Sequence, residues 1–394
     1  MNCGEKIKEY INRAAFGYDL PGLAAGVYVG ADSPLPCAGT DCEAVAGFMD
    51  FRERIPLRAE HVFHMASVSK LFVATGAMLL AERGLLDLEA PVCDSLPWFR
   101  MRDPRHREIS ALQLLTHTAG MPDVADYRWN APETDGGALE RYLRSDEVRE
   151  ATLLWSPREG RFCYSNLGYE LLGALIAARA GRGFEEFMRE SILRPLGMED
   201  STFLTFSRTP EGRAMDAHAA GSAEVARAAL SIDALRDAGV CVPHGKDADK
   251  RIVREPFFPY NRAHGPSSTL TSNLRDMRRF GKAMLRGALL DSASHEKARK
   301  AYAVVPNNGE RIGLAWFLRE QNGCELCGHE GTDDGFRASF WICPELDLQI
   351  TVVSNMSGAP VKKINKRLFE LLVPPSGLAE AGKDAEGETF SRNA

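Results

Sequence analysis

Apolar positions fall along the chain in three regimes. In the first, residues 5–16 repeat at helical spacing and predict an amphipathic helix. Residues 23–29 follow a Pro-Gly signal as an unbroken apolar run, which predicts a buried strand, with 44–49 as its neighbour. His61–Ala66 is a strand-like approach to a strongly apolar helical stretch, Leu71–Leu80, that stops near Arg83-Gly84.

From about 90 to 264 the pattern changes to helical stretches joined by long polar loops. Residues 111–115 predict a short helix that ends in the turn His117–Pro122. Residues 167–180 predict a strong apolar helix closed by Gly181, and 184–193 another that leads into Pro195-Leu-Gly-Met198. After 265, strands are expected at 311–319, 338–343 and 349–354, the last two joined by a hairpin turn at Pro344–Asp347. Residues 361–372 predict a closing amphipathic helix, and the polar tail 374–394 is expected to be disordered. The layout is one catalytic domain over 1–373. An α/β lobe comes from both chain ends (about 1–90 and 265–373), and a mostly helical lobe (about 91–264) is inserted between them.

Composition narrows the function classes. The chain has 394 residues, 44% hydrophobic and 26% charged, with a net charge of −6, as in an ordinary globular protein. No basic patch points to nucleic acid, and no long apolar run points to a membrane. The N-terminus lacks the apolar core of a signal peptide, and nine scattered cysteines suit free thiols. A cytoplasmic location follows as the expectation. Cys324-Glu-Leu-Cys327 lacks a second ligand pair at zinc spacing, so neither a metal nor a cofactor is expected.

Candidate chemistry begins at Ser67-Val-Ser-Lys70. Ser-x-x-Lys at the mouth of a helix sets a hydroxyl and an amine one turn apart on one face. It also places the hydroxyl at the positive end of the helix dipole, so the serine can act as a nucleophile without a Ser-His-Asp triad. A second copy, Ser294–Lys297, lies among charges with no apolar helix behind it, and is read as surface.

Tyr164-Ser-Asn166 precedes the apolar helix at 167. A phenol beside the nucleophile can relay a proton when a neighbouring ammonium lowers its pKa, and an amide can orient both. Tyr10-Ile-Asn12 has the same spacing, on a helix face. His329-Glu-Gly331 leads towards the strand at 338. Its glycine allows close backbone approach, and the N–H of Thr332 can join that of Ser67 as an oxyanion hole.

Ser-x-x-Lys, Tyr-x-Asn and His-x-Gly occur here in that order, with Tyr164 lying 97 residues after Ser67 and His329 165 residues after Tyr164. In this order and context the chain resembles the serine β-lactamase and penicillin-binding-protein superfamily. It is closest to the branch of class C β-lactamases, D-amino-acid peptidases and carboxylesterases. The turn Leu115–Pro122, the run Tyr164–Leu172 and Pro195–Met198 agree with this resemblance, which covers about residues 20–372.

The resemblance implies an antiparallel sheet flanked by helices and an acyl-enzyme on Ser67. It implies Lys70 as base or electrostatic activator and Tyr164 as proton carrier. Asn166, His329, Gly331 and Thr332 would bind a small ester, amide or short D-peptide. Many relatives carry Lys-Thr-Gly where this chain has His-Glu-Gly. A partly charged histidine lowers the expectation of efficient β-lactam hydrolysis. The competing readings are a sensor or scaffold that does not turn over, and a D,D-carboxypeptidase.

The remaining polar candidates are read as structural. His61 and His64 belong to the strand-like approach, His117 anchors its turn, and Asp333 and Asp334 are loop residues. Trp129, Trp155 and Trp316 are candidates for either a pocket or the core.

Overall fold

The computed structural model describes residues 2–207, 223–306 and 308–374. The tail expected to be disordered lies, apart from Pro374, outside the described residues. A nine-stranded sheet forms the centre. Its strands run, edge to edge, Ile55–Pro56, Asp41–Asp50, Gly22–Val29, Leu348–Ser354, Phe336–Cys343, Cys324–Asp333, Phe317–Gln321, Arg311–Ile312 and Ala303–Val304. Every neighbouring pair is antiparallel. Both chain ends contribute strands, so the first strand pairs with the last, Leu23 opposite Ser354 and Val29 opposite Leu348.

Both faces of this sheet are covered, which is why Gly22–Val29 reads as an unbroken apolar run. Strand alternation divides its side chains. Leu23, Ala25, Val27 and Val29 face the terminal helices Cys3–Gly17 and Val361–Leu372. Ala24 faces the other core, built on the helices Ser69–Glu82 and Leu274–Arg286. Ser69 to Leu80 are all buried, so this helix is covered on every side and runs through the middle of the protein, with Ser69, Lys70 and Thr75 as its buried polar side chains. The helix Asn166–Ala180 is buried from Leu167 to Ile176 and packs against it.

Three expectations need correction. The strand expected at 311–319 is broken into Arg311–Ile312 and Phe317–Gln321. Gly313 there passes so close to the Ala298 carbonyl that a Cβ would sit 2.2 Å from it. The approach at 61–66 is a two-residue strand, Phe63–His64, paired with Thr271–Ser272 outside the main sheet. Asp333, expected in a loop, is the last residue of a ten-residue strand, Cys324–Asp333, and only Asp334 lies in the turn that follows. The inserted region is helical and loop-rich, with one added hairpin, His244–Lys246 with Ile252–Arg254. Among the described residues no helix is long and apolar enough to cross a membrane.

Candidate active site

Ser67 sits in a tight turn, Ala66–Val68, just ahead of the helix Ser69–Glu82. Ala66 holds φ at +47°, a left-handed conformation that costs a non-glycine residue roughly 1–2 kcal/mol. The turn is locked from behind, where buried Ser69 donates its hydroxyl to the Ala66 carbonyl at 2.6 Å and accepts the Leu270 N–H at 3.0 Å.

Lys70 is fully buried one turn along. Its ammonium donates to Ser67 Oγ at 3.1 Å, Asn166 Oδ1 at 2.6 Å and the Ser267 carbonyl at 2.7 Å. Burial lowers its pKa to about 8, and the nearby carboxylates Glu170, Asp333 and Asp123 resist that fall. Lys70 therefore has a neutral fraction able to take a proton at pH values where an ordinary lysine has almost none, and that fraction becomes the larger one above about pH 8.

Tyr164 is in hydrogen-bonding contact with Ser67. Its ring lies 5.0 Å from the Lys70 ammonium and stacks on His117 at 4.3 Å. Burial raises its pKa well above the usual phenol value, outweighing the Ser67 contact. The phenol is therefore neutral, and the expectation that the ammonium lowers its pKa does not hold at this position.

His117 anchors its turn. Its Nδ1 accepts the Ser165 N–H at 3.1 Å, and its carbonyl accepts the Cys163 N–H at 2.7 Å. Asn166, the first residue of its helix, turns Oδ1 to Lys70 and Nδ2 to Asp123, 3.3 Å away. One of its two amide hydrogens is thereby committed, leaving the other for a substrate.

His329 Nδ1–H donates to the Glu330 carbonyl at 2.6 Å. A carbonyl only accepts, so in the neutral ring Nδ1 carries the proton and Nε2 is a bare lone pair. That Nε2 is buried and has no partner among the described residues. Burial and the Lys70 charge lower the ring's pKa to about 3, so it is neutral at every working pH. The sequence reading of a partly charged histidine is corrected accordingly.

Gly331 gives room, but to the protein itself. A Cβ there would lie 2.3 Å from the Met65 carbonyl and 3.3 Å from Ala66 Cβ, so the strand lies directly against the Ser67 turn.

The hairpins fix which backbone groups of this strand face outward. Gln321 and Cys324 close one two-residue turn, and Asp333 and Phe336 close another. Closing pairs of such turns exchange hydrogen bonds, and successive residues point their N–H and C=O to opposite sides. The strand Phe317–Gln321 stops opposite Gly328. Past that point the N–H and C=O of Glu330 and Thr332 face an edge with no partner strand among the described residues, the Glu330 carbonyl meeting the His329 ring there. That edge opens on a cavity of about 340 Å³ lined by Ser67, Tyr164, Asn166, His329, Thr332 and Phe317, together with Asn308, Glu310, Glu330 and Trp341.

Ser67, Lys70, Tyr164, Asn166, His329, Gly331 and Thr332 thus come together. Their second copies do not join them. Ser294 is in the helix Ser292–Arg299, and Tyr10 packs under the sheet. Trp316 is core, Trp155 stacks under Arg161, and Trp129 lines a different pocket. Cys324 and Cys327 are free thiols on the strand.

Sequence reasoning missed Asp123, Glu170, the Ser267 carbonyl and the Asp333–His64 pair. Glu170 did leave a signal, as a lone carboxylate inside an apolar helix. It takes up the Ser267 N–H and faces His264 Nδ1, each at 3.3 Å. Asp123 and a backbone carbonyl leave no such signal.

Comparison with known proteins decides the family, since the Beta-lactamase family model matches residues 7–373. The chain belongs to that family. It is 28% identical over 296 residues to penicillin-binding protein 4* of Bacillus subtilis, covering 74% of this chain and 60% of that protein. It is 23% identical over 334 residues to protein flp of Staphylococcus aureus, covering 83% of this chain and 59% of that protein. The matched part is therefore about 60% of the length of these relatives. Among solved structures, the octameric penicillin-binding protein homologue of Pyrococcus abyssi superposes with a TM-score of 0.73 at 23% identity, covering 93% of this chain and 77% of that one. D-amino acid amidase of Ochrobactrum anthropi, complexed with L-phenylalanine amide, gives 0.72 at 21% identity, covering 94% and 98%. These share the fold: a large antiparallel sheet with helices on both faces.

Proposed function

We propose that this Beta-lactamase family member is a serine hydrolase that passes through an acyl-enzyme on Ser67. The observation that carries the reading is the 3.1 Å contact between a buried lysine of lowered pKa and the Ser67 hydroxyl. Neutral Lys70 takes the Ser67 proton as Oγ bonds to the substrate carbonyl carbon. The oxyanion is held by the N–H groups of Ser67 and Thr332. Tyr164 gives its proton to the departing amine or alcohol as the C–N or C–O bond breaks, and the lysine's proton then restores the phenol. Water repeats the sequence on the acyl-enzyme, releasing the acid.

The substrate is a small ester or amide lying along the free edge of Glu330 and Thr332. The amide arm of this reading follows the D-amino acid amidases that share the fold. A carboxylate-bearing penicillin is disfavoured, because His329 offers a neutral ring with a bare nitrogen. The described residues lining the cavity include no lysine or arginine. The nine free thiols support a reducing, cytoplasmic setting.

Intact-mass spectrometry after incubation with a fluorophosphonate, a β-lactam and an ester and D-amide panel tests the reading. The expected results are an adduct mapped to Ser67, no adduct in Ser67→Ala, and a larger kcat/KM for a p-nitrophenyl ester than for nitrocefin. A label on Ser294, or nitrocefin as the better substrate, overturns it.

A further inference from the structure

The route to Ser67 and the strand bearing Thr332 meet at a second place, away from Lys70. His64 Nε2–H donates to Asp333 Oδ2 at 2.7 Å. The histidine side chain is 0% exposed and the aspartate 8%. His64 lies three residues before Ser67, with only Met65 and strained Ala66 intervening. Asp333 directly follows Thr332, on the strand whose Gly331 touches the Met65 carbonyl. The rings of Phe258 and Phe336, each 5.7 Å from the imidazole, hold it in one orientation. Arg337 donates to the Asp333 carbonyl at 2.7 Å and fixes the other side.

We infer that the His64–Asp333 hydrogen bond is a clamp that sets the spacing between the backbone N–H groups of Ser67 and Thr332. The inference rests on the hydrolase reading above. Gly331 allows the strand and the turn to touch but does not hold them together, because a glycine offers no side-chain bond. The Ala66 strain favours relaxation of the turn, and relaxation would carry the Ser67 N–H with it. The His64–Asp333 bond opposes that movement from both sides of the contact. Both are positioning residues, since they act on the substrate only through the neighbouring N–H groups.

Asp333 has a second effect. With Glu170 on the helix behind and Asp123 on the loop above, it is one of three carboxylates favouring the Lys70 ammonium. His329 and His117 are held neutral by burial and by Lys70 itself, and burial keeps the Tyr164 and Tyr169 phenols, both against the Lys70 ammonium, neutral as well. Removing the Asp333 charge must therefore lower the Lys70 pKa.

The test uses the full chain and a p-nitrophenyl ester, with a fluorophosphonate to titrate Ser67. Loss of a whole oxyanion donor costs 10²–10³-fold in kcat, so a loosened donor in His64→Ala is expected to cost about 10- to 100-fold, with KM little changed. His64→Gln, whose amide N–H can reach Asp333, should recover most of that loss. Asp333→Asn keeps an acceptor for His64 but not the charge, and should move the acidic limb of kcat/KM to lower pH. Two results overturn the clamp: kcat in His64→Ala within twofold of wild type, or equal losses in the Ala and Gln variants that follow their melting temperatures; an unmoved limb in Asp333→Asn overturns the charge effect on Lys70. If wild type itself does not label at Ser67, the hydrolase reading fails and the clamp falls with it.

Discussion

At the scale of single residues, burial governs the site, and it acts in opposite directions on its two proton carriers. It lowers Lys70 to about 8 and raises the Tyr164 phenol well above its ordinary value. At neutral pH most of the lysine still carries its proton, and the neutral fraction that can accept one grows as the pH approaches 8, while the tyrosine keeps a proton to give. A base with a pKa of about 8 works only when neutral. We therefore expect kcat/KM to rise with pH and level off above about 8. His329, lowered to about 3, adds no inflection between pH 5 and pH 9. A plateau that already begins below pH 6 would show that another group is the base. Tyr164→Phe keeps the ring stacked on His117 and removes only the hydroxyl. Its turnover should fall by roughly 10²-fold or more, the range for a lost acid–base group, while fluorophosphonate labelling, which needs no protonated leaving amine, falls less. Equal losses in both assays would place the hydroxyl in nucleophile activation instead.

At the scale of elements, the strand Cys324–Asp333 and the Ser67 turn form one unit. Gly331→Ala drives a methyl group to 2.3 Å from the Met65 carbonyl, which the backbone cannot accommodate without moving apart. Overpacking of this kind costs typically 1–3 kcal/mol, and a displacement of about 1 Å at a reacting centre costs on the order of 10²-fold in rate. A urea midpoint and a Ser67 labelling rate, measured on the same variant, should both fall. A normal labelling rate would show that the turn does not depend on the strand. This dependence also explains what the sequence could show. The helices at 167–180 and 361–372 were legible because an apolar stripe and a glycine stop are local signals. Ser67, Lys70, Tyr164 and Asn166 were legible because each lies at the entry to such a helix. The strand at 324–333 was not legible from the propensities of its own residues. It mixes cysteine, glutamate, glycine and histidine, and its pairing with distant segments, not its own propensity, makes it a strand. Likewise, Asp333 reads as a loop residue until the fold brings His64 beside it.

At the scale of the whole molecule, no stretch of chain holds the site by itself. The Lys70 ammonium bonds to Ser67 on its own turn, to Asn166 at a helix start and to the Ser267 carbonyl in the short helix Gly265–Ser268. Thr332 comes from a sheet that joins both chain ends. Loss of Ser67 labelling and loss of far-ultraviolet circular dichroism should therefore follow the same urea curve. Labelling lost at a distinctly lower urea concentration would reveal a site less stable than the fold that carries it. The alternation along the strand Cys324–Asp333 has one more consequence, for chain length rather than side-chain chemistry. Whether an amide faces the cavity or the neighbouring strand depends only on whether its position is even or odd, counted from the hairpin turns. One extra residue between Gly328 and Glu330 would set the two hairpins in conflict, so that the segment before it and the Thr332 amide could not both keep their present sides. Two extra residues would restore both orientations. Such a gene could tolerate many substitutions along this strand, yet an insertion of a single codon there would silence the enzyme.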